Sequence, residues 1–183
     1  MHDEKVLLQT KYISVKETAR GFQYLVRRGK DSVAIFLVRK NKSDNLSQNY
    51  EVLVRMQPLC LNNTELNGKQ QLYACPFTGS IEPGETPEQA AARETLEESG
   101  YETQVKSLGQ YIVGTQTNEI CYLYYADVTD IEPQNALQDG TYFESVSENV
   151  WHPFDYLKKC DYVACQLGYF KLKEEFLRLE YKK

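Results

Sequence analysis

Histidine is nearly absent from this chain: His2 and His152 are the whole supply in 183 residues. With so few imidazoles, and with five cysteines (Cys60, Cys75, Cys121, Cys160, Cys165) that form no CxxC pair, no zinc site of the usual spacing can be written. An odd cysteine count leaves one thiol unpaired in any disulfide scheme, so reduced and mostly buried thiols are expected. No apolar run reaches the roughly 18 residues that a membrane helix needs. The opening residues, Met1-His2-Asp3-Glu4-Lys5, are polar, so no signal peptide is expected and the expected compartment is the cytoplasm. A basic excess is missing too. The net charge of -5 speaks against a general binder of nucleic acid or of anionic membranes.

What is present describes a soluble globular protein: 42% hydrophobic residues, 26% charged, and a mean hydropathy of -0.56. A chain of this length buries roughly 70% of its unfolded surface and is expected to form one domain over residues 1–183. The charge is unevenly spread. Residues 1–78 carry 12 basic and 7 acidic side chains, and residues 103–183 carry 8 basic and 12 acidic. Between them, residues 79–102 hold seven Glu against Arg93 alone.

Strand patterns dominate the first half. Lys11 to Glu17 alternates apolar and polar residues, Ala19-Arg20-Gly21 is a turn signal, and Phe22 to Arg28 reads as the partner strand, so a strand pair is expected within residues 8–30. Ser32 to Arg39 is a near-continuous β-branched and aromatic run, the pattern of a strand buried on both faces. Tyr50 to Gln57 and Gln70 to Phe77 are further strands, separated by a loop containing the turn dipeptide Asn67-Gly68. The period then changes. Residues 86–99 read as a helix with Thr86 at the N-cap, Pro87 at N1, Gln89 completing a capping box and Gly100 at the left-handed C′ position. Val105 to Val113, Ile120 to Val128 and a segment near Phe143 to Trp151 read as strands. Residues 155–181 read as helical, with Val163, Leu167, Phe170 and Leu177 on one side. Strands, one central helix, more strands and a terminal helix imply an α/β fold: a mixed sheet with helices on its faces.

The central helix breaks local rules. Glu94, Glu97 and Glu98 fall within an arc of roughly 100° on one face, although like charges at i,i+3 and i,i+4 each cost roughly 0.2–0.5 kcal/mol. They also crowd the C-terminal turns, where the macrodipole favours cations. A solvated acidic face is one reading of such a cluster. A hard divalent cation, Mg²⁺ or Mn²⁺, is the other, because it would resolve the repulsion with the oxygen ligands it prefers.

The segment Gly79-Ser80-Ile81-Glu82-Pro83-Gly84-Glu85, followed seven residues later by Arg93-Glu94-Thr95-Leu96-Glu97-Glu98-Ser99-Gly100-Tyr101, resembles the Nudix box, G-x5-E-x7-R-E-U-x-E-E-x-G-U with U usually aliphatic. Gly79, Glu85, Arg93, Glu94, Glu97, Glu98 and Gly100 match the fixed positions, while Thr95 and Tyr101 replace aliphatic residues. The resemblance implies the family's α/β/α sandwich, here with an N-terminal β-hairpin extension, and metal-dependent hydrolysis of a nucleoside diphosphate linked to another moiety. Carried over residue by residue, it makes Glu94, Glu97 and Glu98 metal ligands, joined by the backbone carbonyl of Thr78. Arg93 would orient the glutamates and Glu85 would support the loop. The cofactor implied is Mg²⁺ or Mn²⁺. A general base would come from the box, as Glu94 or Glu98, or from a later loop, with Glu119, Asp139, Glu144 and Glu148 as candidates.

The strand pair Lys11 to Arg28 is similar to the N-terminal extension of the ADP-ribose pyrophosphatase branch, where it contributes to a homodimer. Ile112 to Glu119 resembles that branch's loop after the box. Val113 stands where the branch often has proline, and Gln57-Pro58-Leu59 stands where it often has Gln-aromatic-Arg. ADP-ribose or a nucleotide sugar is therefore the favoured small-molecule substrate. The alternatives are a (d)NTP or dinucleoside polyphosphate pyrophosphohydrolase and, outside enzymes, a non-catalytic nucleotide-binding module. Arg20, Arg39 and Arg55, with Arg27 and Arg28, are candidates for phosphate contacts. Phe143, with Phe22, Tyr24 and Trp151, is a candidate for base stacking, and Glu119 for a further substrate contact.

Overall fold

The computed structural model describes residues 4–27, 29–41, 49–60, 65–66, 69–135 and 145–180. Its centre is a mixed sheet organised around β4 (Ser32–Lys40), whose first seven residues are all buried. Strand period sends alternate side chains to opposite faces. Ala34, Phe36 and Val38 enter one apolar layer; Val33, Ile35 and Leu37 enter the other. The run read as a strand buried on both faces is the middle of an α/β/α sandwich.

The remaining strands arrange around it. β1 (Lys5–Gln9), β2 (Ile13–Glu17) and β3 (Gln23–Arg27) form a separate antiparallel sheet. The expected hairpin thus gains a third strand, β1, whose five residues are all exposed. In the main sheet, β5 (Tyr50–Gln57) runs antiparallel to β4, β11 (Ile120–Asp127) runs parallel to it, β10 (Lys106–Ile112) borders β11, and β12 (Glu148–Pro153) borders β5. The short strands β6 (Glu65–Leu66) and β7 (Lys69–Gln70) pair with each other.

The single strand expected over Gln70 to Phe77 is divided. Pro76 has no N–H to give a ladder, and the chain changes partner there: β8 (Tyr73–Cys75) pairs with β5, and β9 (Phe77–Ser80) pairs with β4. This switch lays the start of the box directly against β4, with Ala34 opposite Thr78 and Val33 opposite Gly79.

Helix α1 (Pro87–Ser99) packs on the face of Val33, Ile35 and Leu37 through Ala90 and Ala91. Its ends are built as the sequence indicates. Thr86 accepts from the Gln89 amide at 3.2 Å, the Gln89 side chain accepts from the Thr86 amide at 2.8 Å, and Gly100 takes φ 77° while its N–H reaches the Leu96 carbonyl. The opposite face is covered by a 3₁₀ segment (Phe154–Lys159) and helix α2 (Val163–Glu180). Of the expected face, only Leu167 packs against the core. Val163 and Phe170 are each 61% exposed and Leu177 lies at the surface, whereas Cys165, Tyr169, Leu172 and Phe176 are buried. At 100° per residue these stripes lie on opposite sides of the helix. The second stripe prevails because its rings stack: Phe176 on Tyr50 at 3.9 Å and Tyr169 on Phe154 at 4.9 Å. Cys75, Cys121, Cys160 and Cys165 are buried free thiols and Cys60 is an exposed one. Among the described residues no helix is long and apolar enough to cross a membrane.

Candidate active site

The site is built where β9 leads into the turn before α1. Arg93 is its hub. A guanidinium has five N–H donors, and here each has an acceptor. Nε and one Nη2 hydrogen go to the two oxygens of Glu85 (2.9 and 3.0 Å), the other Nη2 hydrogen goes to the Ser80 carbonyl (3.1 Å), and Nη1 donates to Glu94 (2.7 Å) and Glu97 (3.1 Å). Glu85 also accepts the Glu82 amide at 3.0 Å, which closes the turn ahead of the helix. The Arg93 bonds hold the Glu85 carboxyl below its ordinary pKa, and the Glu85 contact foremost raises that of Arg93.

Glu94 lies across Gly79. A Cβ at Gly79 would fall 1.9 Å from the Glu94 Cδ, so only glycine leaves room for this carboxylate. Burial pushes the Glu94 carboxyl above its ordinary pKa despite Arg93. Glu98, one turn further along the helix, meets the neighbouring residue of β9. Its carboxylate accepts the Thr78 amide at 3.3 Å and faces Arg55 Nε at 3.7 Å, which places Thr78 and Arg55 both at the helix's C-terminal turn. Glu97 is the most open of the three, with its side chain 41% exposed.

Four carboxylates, Glu85, Glu94, Glu97 and Glu98, thus share two cations, Arg93 and Arg55. An excess of hard oxygen donors over positive charge is the chemistry a divalent cation satisfies, so the residues suit Mg²⁺ or Mn²⁺. Among the described residues, no three carboxylates converge on one point. Arg93 stands between Glu94 and Glu97.

Beside the helix lies a cleft of about 550 Å³, lined by Tyr12, Ile13, Arg27, Gly29, Ser80, Ile81, Glu82, Pro83, Arg93 and Glu94. The N-terminal sheet reaches it because β3 docks on the loop before β11: the Leu25 amide donates to the Gln116 carbonyl at 2.9 Å. Arg27 follows, 47% exposed, with one N–H on Glu119 at 2.9 Å.

The structure separates the other expected site residues. Glu119, expected as a base or substrate contact, is 4% exposed and accepts from both Ser32 (2.6 Å) and Arg27. Arg20 is exposed in the turn between β2 and β3 and does not line the cleft. Arg39 is bound to Glu51 at 2.8 Å and lies 4.1 Å from the Trp151 ring centre, and neither Arg39 nor Trp151 lines the cleft. Arg55 is 8% exposed behind Glu98. Glu148 is exposed at the first position of β12. Asp139, Phe143 and Glu144 lie outside the described residues. Two site neighbours carry no sequence signal because neither sits in a motif: Ser32, which donates to Glu119, and Asn149, whose Nδ2 donates to the Glu98 carbonyl at 2.9 Å.

Sheet, flanking helices and carboxylate cluster define an α/β/α sandwich protein with a glutamate-rich helix anchored by one arginine. The chain belongs to the Nudix family, whose domain model matches residues 25–167. It is 36% identical over 76 residues to the 8-oxo-dGTP diphosphatase-like protein YtkD of Bacillus subtilis (strain 168). That stretch is 40% of this chain and 45% of the relative, so less than half of the relative's length is matched. Among solved structures, an ADP compounds hydrolase shares the fold with a TM-score of 0.65 at 15% identity, over 97% of this chain and 93% of the other.

Proposed function

We propose that this protein is a cytoplasmic metal-dependent Nudix hydrolase that cleaves the diphosphate linkage of a nucleoside diphosphate derivative. The single observation that carries this reading is the intact box folded around Arg93, with every donor of that guanidinium committed and Glu94, Glu97 and Glu98 on one helix beside an open cleft. Glu94, Glu97, Glu98 and the Thr78 carbonyl would hold Mg²⁺ or Mn²⁺. Such a cation supplies charge neutralisation of the diphosphate and a water of lowered pKa when bound.

The chain's own residues then divide the work. Arg93, saturated by its acceptors, has no N–H left for substrate and serves to orient Glu94 and Glu97. Arg27 has donors to spare on the cleft wall and meets a phosphate oxygen. Proton removal falls to one of the candidate carboxylates: Glu94 or Glu98 of the box, the buried Glu119, or Glu148, exposed at the first position of β12. Asp139 and Glu144 stay candidates with them.

For the substrate, ADP-ribose or a nucleotide sugar is favoured: the N-terminal sheet contributes to the cleft, and the neighbour with the shared fold is a hydrolase of ADP compounds. Val6, Leu8, Tyr12 and Phe22, each more than half exposed, favour pairing of that sheet with a second copy as a homodimer. A second reading, a (d)NTP pyrophosphohydrolase, draws on the diphosphatase-like relative. A panel assay decides between them: ADP-ribose, nucleotide sugars, NAD(H), dNTPs, 8-oxo-dGTP and dinucleoside polyphosphates with Mg²⁺ or Mn²⁺. Preferred turnover of ADP-ribose or nucleotide sugars is the expected result. Preference for triphosphates supports the second reading, and no turnover on any substrate leaves a binding module.

A further inference from the structure

Helix α1 ends in a way its own sequence does not balance. Its last turn contains Glu97 and Glu98 and no basic residue, although the C-terminal end of a helix dipole is negative. The cation comes instead from the sheet. Arg55 on β5 and Asn149 on β12 are directly opposite each other in register, and both reach the same residue. Asn149 Nδ2 donates to the Glu98 carbonyl at 2.9 Å, Arg55 Nη1 approaches that carbonyl at 3.5 Å, and Arg55 Nε lies 3.7 Å from the Glu98 carboxylate.

We propose that Arg55, assisted by Asn149, is the positioning residue for Glu98, fixing its carboxylate toward Thr78 for the cation. This rests on the cation-binding role proposed for Glu98. Burial separates the proposal from a substrate-binding role: the Arg55 side chain is 10% exposed, against 47% for Arg27 on the cleft wall. A buried guanidinium is stable only when paired, and here the paired carboxylate is itself in the box. The two arginines divide the glutamates between them. Arg93 sets Glu94 and Glu97 from within the helix, and Arg55 sets Glu98 from the sheet.

The test is Mn²⁺ titration into metal-stripped protein, followed by calorimetry, together with kcat and KM on the best substrate. Loss of an outer-shell partner typically costs about 10–100-fold in metal affinity or activity. Arg55→Ala is expected to weaken Mn²⁺ binding and lower kcat within that range while KM for the nucleotide changes little. Arg55→Lys restores part of the affinity, because charge returns without the planar fork. Asn149→Ala moves both quantities the same way by less. Wild-type Mn²⁺ affinity in Arg55→Ala, or a rise in KM alone, overturns the proposal. Should Arg55→Ala not fold, unchanged affinity in both Arg55→Lys and Asn149→Ala overturns it equally. A wild-type protein that binds no Mn²⁺ refutes the functional reading itself; a wild type that binds and hydrolyses beside indifferent variants refutes only this inference.

Discussion

Replacing Arg93 by methionine keeps most of the side chain's apolar length and removes all five donors. The variant strands Glu85 and Glu94, whose side chains are 16% and 13% exposed, without their cation, and leaves the Ser80 carbonyl without its partner. Removing one member of a buried ion pair costs about 3–5 kcal/mol. The Glu97 pair, at 41% exposure, adds about 0–1 kcal/mol. Arg93 is itself 27% exposed, so water recovers part of the loss and the lower end, about 3 kcal/mol, is the expected cost. For a domain of this size that corresponds to a fall of about 6–12 °C in Tm. The assay is urea and thermal unfolding of metal-stripped wild type and Arg93→Met. A difference below about 1 kcal/mol would mean that the five contacts are not what holds the turn to the helix.

Two further predictions concern the same cluster. Gly79→Ala puts a methyl where the Glu94 carboxyl lies, so the fold should survive by circular dichroism while kcat falls by about 10²-fold, the order expected of a group displaced by an ångström; wild-type kcat would refute the packing argument. Glu85 has a folded-state pKa below its ordinary 4.5, so the unfolded chain binds the proton more readily and the stabilisation is complete above pH 4.5 and lost as pH falls through the lower folded value. Urea midpoints should therefore show Glu85→Gln less stable than wild type at pH 7, with the gap closing below pH 4.5; a gap independent of pH contradicts the assignment.

The chemistry of the box was legible because it is local. The capping residues, the arginine and the glutamates lie within one loop and one helix, where spacing alone decides which side chains share a face. The strand buried on both faces was equally plain, since seven successive apolar or small residues admit few other fates in a sheet. What depended on distant partners was not legible. Both stripes of α2 are apolar, and only the rings of Tyr50 and Phe154 decide between them. Glu119 reads as an acidic loop residue until Ser32 and Arg27, 87 and 92 residues away, close on it. Arg55 reads as a strand-face cation until β8 and β12 flank it and α1 covers it. In each case the sequence shows the side chain but not the register that supplies its partner.

The most direct test of the whole account is the initial rate of nucleotide hydrolysis as a function of Mg²⁺ concentration, measured on wild type and Glu98→Gln. The account predicts no turnover in chelator, recovery with added Mg²⁺, and rates lower by orders of magnitude in Glu98→Gln at saturating substrate with the fold retained. Turnover that ignores the chelator, or near-wild-type rates in Glu98→Gln, would contradict it.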